Sequence, residues 1–363
     1  MTTRRHFLGG LASSAALATG WREETPTTTP PPDRPRVVML GLDGACSELM
    51  RSAVVPTPNY DRLVRESTRL ARCYAVFPLC APARAAFLTA LPPQSHGQLN
   101  NHFVLHEEMP TAVGQLRDLG LSSYLYGKQH TNNDETEAGG NTWGYDAILT
   151  RNSESLGTVK ARYEDTDARR GWLDEEDKAV FAEIEGLTGH DFGGRIRPFS
   201  ADPDWAFLQA GLEQVETLEK QGGRWLVNIS LLGPHHPYSM PEEYYFLFDP
   251  DEIDTSNIDR EGWRRSAPAR NLMEHRRWDR LEDRHFQRII ARQQGYVAYM
   301  DWMLGQCLGR LEELGLLDTI LFAAKSIPPA NPGERGQALS DRRRARHATG
   351  SSSRTRLTGQ PPS

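Results

Sequence analysis

Cys80-Ala81-Pro82-Ala83-Arg84 runs directly into Ala85-Ala86-Phe87-Leu88-Thr89-Ala90, and the reading of this stretch decides the rest of the chain. An isolated cysteine is most often a small buried hydrophobe. Here Pro82 has its φ preset for a first helical turn, which places Cys80 just before a helix start. Backbone N–H groups at such a start favour developing negative charge. Arg84 falls near the same turn and adds a fixed positive charge.

Working outward, Arg36 to Leu42 is a continuous apolar run ending in Asp43-Gly44, as expected of a buried parallel strand. An acid at the carboxyl end of such a strand stands where α/β proteins gather their ligands. Asp61 to Ala71 reads as a short helix with Leu63, Val64 and Leu70 inward. Thr111 caps a helix through Leu119, with Gly120 as its stop. Ser122 to Tyr126 returns as a strand and delivers Gly127-Lys128-Gln129-His130. Asn152 to Gln221 is charged and irregular, and reads as surface helices with an insertion that shapes a pocket. Arg224 to Leu232 is another strand, delivering Gly233-Pro234-His235-His236-Pro237-Tyr238. Val297, Met300, Leu304, Cys307, Leu311 and Leu314, spaced by three and four, mark a long helix that Gly315 stops. Thr319 to Ala323 begins one more strand. Strands alternating with helices argue for α/β layers.

The Cys-x-Pro-x-Arg stretch resembles the signature of sulfatases, in which the Cys is oxidised to formylglycine. Thr57-Pro58-Asn59-Tyr60-Asp61-Arg62-Leu63 and Ser95-His96-Gly97 are similar to the same family, in family order. The resemblance covers roughly Arg36 to Ala324. It implies an alkaline-phosphatase-like sandwich, a mostly parallel mixed sheet with helices on both faces, with its C-terminal part missing. It implies that Cys80, Arg84, Lys128, His130 and His235 do the chemistry, with His236 facing substrate. Asp43 and the oxidised residue 80 would be metal ligands, for Ca²⁺ or Mg²⁺. Gly44 stands where many sulfatases have a second Asp, and Ala90 where the signature has Gly. The implied reaction is sulfate-ester hydrolysis. One hydroxyl of the hydrated aldehyde attacks sulfur and releases the alcohol. The other hydroxyl then loses its proton, expels sulfate and restores the aldehyde. Leu42-Asp43-Gly44 is also familiar among phosphonate monoester and phosphodiester hydrolases of this superfamily, which are the enzymatic alternative. A non-catalytic remnant is the third reading.

The two ends read differently from the body. Arg4-Arg5 before a mildly apolar stretch and Ala16-Leu17-Ala18 suggests a twin-arginine signal over residues 1–18, then a Pro/Thr-rich linker over 19–35. The expectation is export to a periplasmic or extracellular site, with the Tat translocon and a formylglycine-generating enzyme as partners in maturation. Residues 36–327 form the expected catalytic domain. From 328 the apolar periodicity vanishes and Arg, Ser, Gly, Pro and Thr dominate, so a disordered basic tail is expected. Its composition looks more like a shifted reading frame than a nucleic-acid-binding arm. Lys325-Ser326-Ile327 stands where sulfatases carry Asp-His-Gly, so the expectation is a truncated or frameshifted sulfatase short of metal ligands, with little activity. The whole chain carries a net charge of −6 over 363 residues, and its substrate would be a sulfate-ester small molecule or glycan rather than nucleic acid. No apolar run reaches the roughly 20 residues of a membrane span. Four cysteines do not make a disulfide scaffold, although a Cys46–Cys73 bridge is open.

Overall fold

The computed structural model describes residues 35–45, 50–70, 73–131, 142–150, 175–185, 187, 193–196, 199–256, 258–265 and 267–327. The expected signal peptide, the linker up to residue 34 and the basic tail, together with Cys46, lie outside the described residues.

Five parallel strands make the main sheet: β1 (Arg36–Asp43), β2 (Ser122–Gly127), β3 (Ala147–Leu149), β5 (Trp225–Ser230) and β7 (Leu321–Ile327). Their order is β3-β2-β5-β1-β7, with β7 at one edge. A second, two-stranded sheet pairs β4 (Arg195–Ile196) with β6 (Met240–Pro241). The helices are α1 (Pro58–Glu66), α2 (Cys80–Thr89), α3 (Pro93–His96), α4 (Ala112–Asp118), α5 (Glu175–Glu183), α6 (Pro203–Gln221), α7 (Glu242–Tyr245), α8 (Arg260–Arg265), α9 (Ala267–Arg276) and α10 (Asp283–Glu313).

The period-2 geometry of a strand sends alternate residues of β1 to opposite faces. Val38, Leu40 and Leu42 join Phe207, Leu212 and Val215 of α6 and Val297, Met300 and Leu304 of α10 in the larger core. Val37 and Met39 pack instead with Ala85 and Leu88 of α2. The sheet is therefore covered on both sides, as a parallel sheet requires. Among the described residues, no helix is long and apolar enough to cross a membrane.

Several expectations need correcting. The helix expected from Asp61 begins at Pro58 and ends at Glu66, so Leu70 lies beyond it and is exposed. The start is set from across the molecule: the Asp301 carboxylate of α10 accepts from the backbone N–H of Tyr60 at 2.8 Å and of Asn59 at 3.2 Å. Thr57-Pro58-Asn59 thus serves helix anchoring. The region read as an irregular insertion ends in α6, a core helix. Asp202 caps it by accepting from Asp204 N at 3.0 Å, with Pro203 at its first turn. Cys73 is a free, exposed thiol, and Cys46, its expected partner, lies outside the described residues.

Candidate active site

Register brings the strand ends level. Gly41 of β1 lies beside Ser230 of β5, and Ser230 lies beside Gly127 of β2. The residues at and just beyond these ends therefore gather at one edge of the sheet: Asp43 closing β1, Lys128 after β2 and His235 after β5. Gly127 has φ 105°, and a Cβ there would stand 2.0 Å from the Ser230 carbonyl oxygen, so only glycine lets Lys128 leave the sheet at this point. Gly44, at the position where many sulfatases have a second Asp, has φ 84° and lies against the His235 backbone.

Cys80 is the first residue of α2, with Leu79 as its cap, one position further into the helix than the proline suggested. Its amide neighbours are already engaged. Ala81 N donates to Asn101 Oδ1 at 3.1 Å, Ala83 N donates to Leu79 O at 3.0 Å, and Pro82 has no N–H to give. Side chains, more than free amides, make this end of the helix positive. His96, from the Ser-His-Gly stretch, is buried beside the backbone of Pro82 and supports this turn.

Arg84 is 6% exposed and ties three strands to α2. One guanidinium nitrogen donates to Ser230 Oγ at 2.8 Å and to the Lys128 carbonyl. The other stands 3.5 Å from Asp43 Oδ2, the same oxygen that meets Lys128 Nζ. Burial opposes the charge on Asp43, but Lys128 and Arg84 overcome it and hold the carboxyl well below the usual range. Cys80 is fully buried next to that carboxylate. Burial, and then the Asp43 charge, push its thiol up to about 11. An unmodified Cys80 is thus a neutral thiol and a poor nucleophile at neutral pH.

His235 stacks on His236 with ring centroids 4.1 Å apart, and its Nδ1 lies against the His236 carbonyl. Burial, then Lys128, lower the imidazole to about 4. Asp43, Cys80 and His235 each offer a ligand atom within 4.8 Å of the other two. His236 is 8% exposed, with its ring against those of His235 and Tyr238. His130, three residues beyond the end of β2, is half-buried with φ 55°.

Two contributors carry no motif. Ser230 ends β5 and receives Arg84. Lys325 of β7 lies in register with Gly41, with Nζ 3.4 Å from the centroid of the Phe87 ring. Burial, then Arg84, push its amine down to about 7.

The fit to a hard divalent cation depends on residue 80. Such ions take roughly six to eight oxygen ligands. Among the described residues this cluster brings the Asp43 carboxylate, a thiol and an imidazole, and a soft thiol does not suit Ca²⁺ or Mg²⁺. With an oxygen at position 80, the pair fits one side of such a site.

Similarity to known proteins agrees with this geometry. A choline-sulfatase from Rhizobium meliloti (strain 1021) is 23% identical over 316 residues, covering 84% of this chain and 59% of the relative. An arylsulfatase from Clostridium perfringens (strain 13 / Type A) is 21% identical over 304 residues, covering 80% and 62%. The chain thus spans about three fifths of the length of these relatives. In fold it is similar to the crystal structure of the phosphonate monoester hydrolase of Agrobacterium radiobacter, with TM-score 0.60 and 20% identity over 81% of this chain and 62% of that one. The sheet is the α/β arrangement of sulfatases and their alkaline-phosphatase-like neighbours. The sulfatase family model matches residues 47–326, which takes in Cys80, Arg84, Lys128 and His235 at the strand ends, and the chain belongs to the sulfatase family.

Proposed function

We propose that this site cleaves sulfate monoesters of a small molecule or glycan, with Cys80 oxidised to formylglycine and the protein exported through its twin-arginine segment. The observation that carries the reading is the grouping of Arg84 and Lys128 on the buried Asp43 carboxylate, beside Cys80 at the start of α2. Two cations share one carboxylate, so the cluster has positive charge left over for an oxyanion.

The parts divide the chemistry. The oxidised residue 80 supplies the attacking hydroxyl that a neutral thiol at this position cannot. A divalent cation held by Asp43 and residue 80 would supply charge stabilisation at the sulfuryl oxygens. Lys128 and Arg84 orient and neutralise those oxygens, while Ser230 and the Lys128 carbonyl fix the guanidinium plane. His235 keeps its proton on Nδ1 against the His236 carbonyl, which can only accept, and this leaves Nε2 as the ring's acceptor. Burial keeps bulk water from screening these charges.

The test is turnover of an aryl sulfate and, in parallel, an aryl phosphonate monoester by protein matured with a formylglycine-generating enzyme. Slow sulfate turnover, limited by Lys325-Ser326-Ile327 standing where further metal ligands are expected and abolished by Cys80→Ala, is the expected result. Faster phosphonate cleavage, or sulfate turnover that survives Cys80→Ala, contradicts the reading.

A further inference from the structure

The loop that carries His235 is held by a carboxylate outside the cluster. Asp204, the second residue of α6, is 1% exposed. Its Oδ1 accepts from Leu232 N at 2.6 Å and its Oδ2 from Gly233 N at 2.8 Å. The Tyr296 hydroxyl of α10 donates to the same Oδ2 at 3.4 Å. The carbonyl of Gly233 in turn accepts from Asp43 N at 2.9 Å. One peptide segment therefore joins Asp204 on one side to Asp43 on the other, two residues before His235. From α10 the fit is close: a Cβ at Gly233 would stand 2.6 Å from Met300 Sδ.

A charge placed among apolar core residues is costly unless its hydrogen bonds are specific and complete. Burial raises both Asp204 and its neighbour Asp202, but the Leu232 and Gly233 amides oppose the rise at Asp204. The Asp204 charge in turn pushes Asp202 up, so Asp202 is the better place for a shared proton. Asp204 is then free to grip both amides as an anion, with charge-assisted bonds stronger than a neutral acceptor would make.

We propose that Asp204 is a positioning residue that fixes His235 and, through the Gly233 carbonyl, Asp43 against residue 80. It touches no reacting atom. The catalytic part of the proposal rests on the sulfate-ester reading above.

Asp204→Asn in the full chain tests it by amide hydrogen exchange and by aryl sulfate kinetics. Exchange at Leu232, Gly233 and Asp43 should quicken by about tenfold, with Val227 and Ile229 of β5 unchanged. Misplacement of reacting groups should lower kcat by roughly 10- to 100-fold with KM within about threefold. Unchanged exchange at the three amides, equal quickening at Val227 and Ile229, or a rise in KM alone overturns the proposal. Should Asp204→Asn fail to fold, Tyr296→Phe removes a single donor from the same oxygen. A smaller quickening at the same three amides is then expected, and its absence overturns the proposal. If the wild-type chain turns over no aryl sulfate while the exchange pattern appears, the sulfate reading fails and the positioning of the loop stands.

Discussion

At the residue scale, much of the site could be read because charged side chains at strand ends are conspicuous. Asp43, Arg84, Lys128 and His235 each follow or face an apolar run, and the structure brings them together around Cys80. His130 shares the motif of Lys128 and has a left-handed backbone at its own position. Ser230 and Asp204 gave no such signal. A serine at the end of a strand is ordinary, and an aspartate near a helix start reads as a cap. Asp202 does cap α6, and it also carries a measurable burden. Burial, then the Asp204 charge, raise it above the usual carboxylate range. The folded state keeps a proton that the unfolded chain releases near about pH 3.9. This contribution to stability is complete below that pH and is lost as pH rises through the folded value. Asp202→Asn keeps an acceptor for Asp204 N and has no proton to lose. Urea midpoints should therefore show the variant gaining on wild type between about pH 5 and about pH 8, and a flat difference would refute the assignment.

At the element scale, strands and capped helices were legible where local chemistry agreed with packing. β1, β2, β5, α4 and α10 stand close to where apolar runs, Thr111, Gly120 and Gly315 placed them. The start of α1 was not, because its capping carboxylate comes from Asp301, far away in sequence. α6 was hidden by a charged surround, although Asp202-Pro203 and the spacing of Phe207, Leu208, Leu212, Val215 and Leu218 mark a buried helical face. The end of α2 holds a local conflict. Ala90 caps it with φ 57°, and its N–H donates to Ala86 O at 2.8 Å. A left-handed conformation costs an L-residue with a Cβ roughly 1–2 kcal/mol, of which glycine's greater unfolded freedom returns part. Ala90→Gly should therefore stabilise the chain by about 1 kcal/mol in urea unfolding. A loss of stability would show that the turn does not need the left-handed region.

At the scale of the whole molecule, parallel register is what converts scattered motifs into a site. Residues separated by more than a hundred positions meet because β1, β2 and β5 end level, and Arg84 then links all three to α2. Sequence could show the motifs and the likeness of their order to sulfatases, but not the register that joins them or the loop contact from α6. The proposed catalysis turns on the conversion of residue 80 into a group that the surrounding charges of Asp43, Arg84 and Lys128 can use. Mass spectrometry of the peptide containing residue 80, from protein produced with a formylglycine-generating enzyme, tests this most directly. An aldehyde at that position is the predicted result; an intact thiol would contradict it.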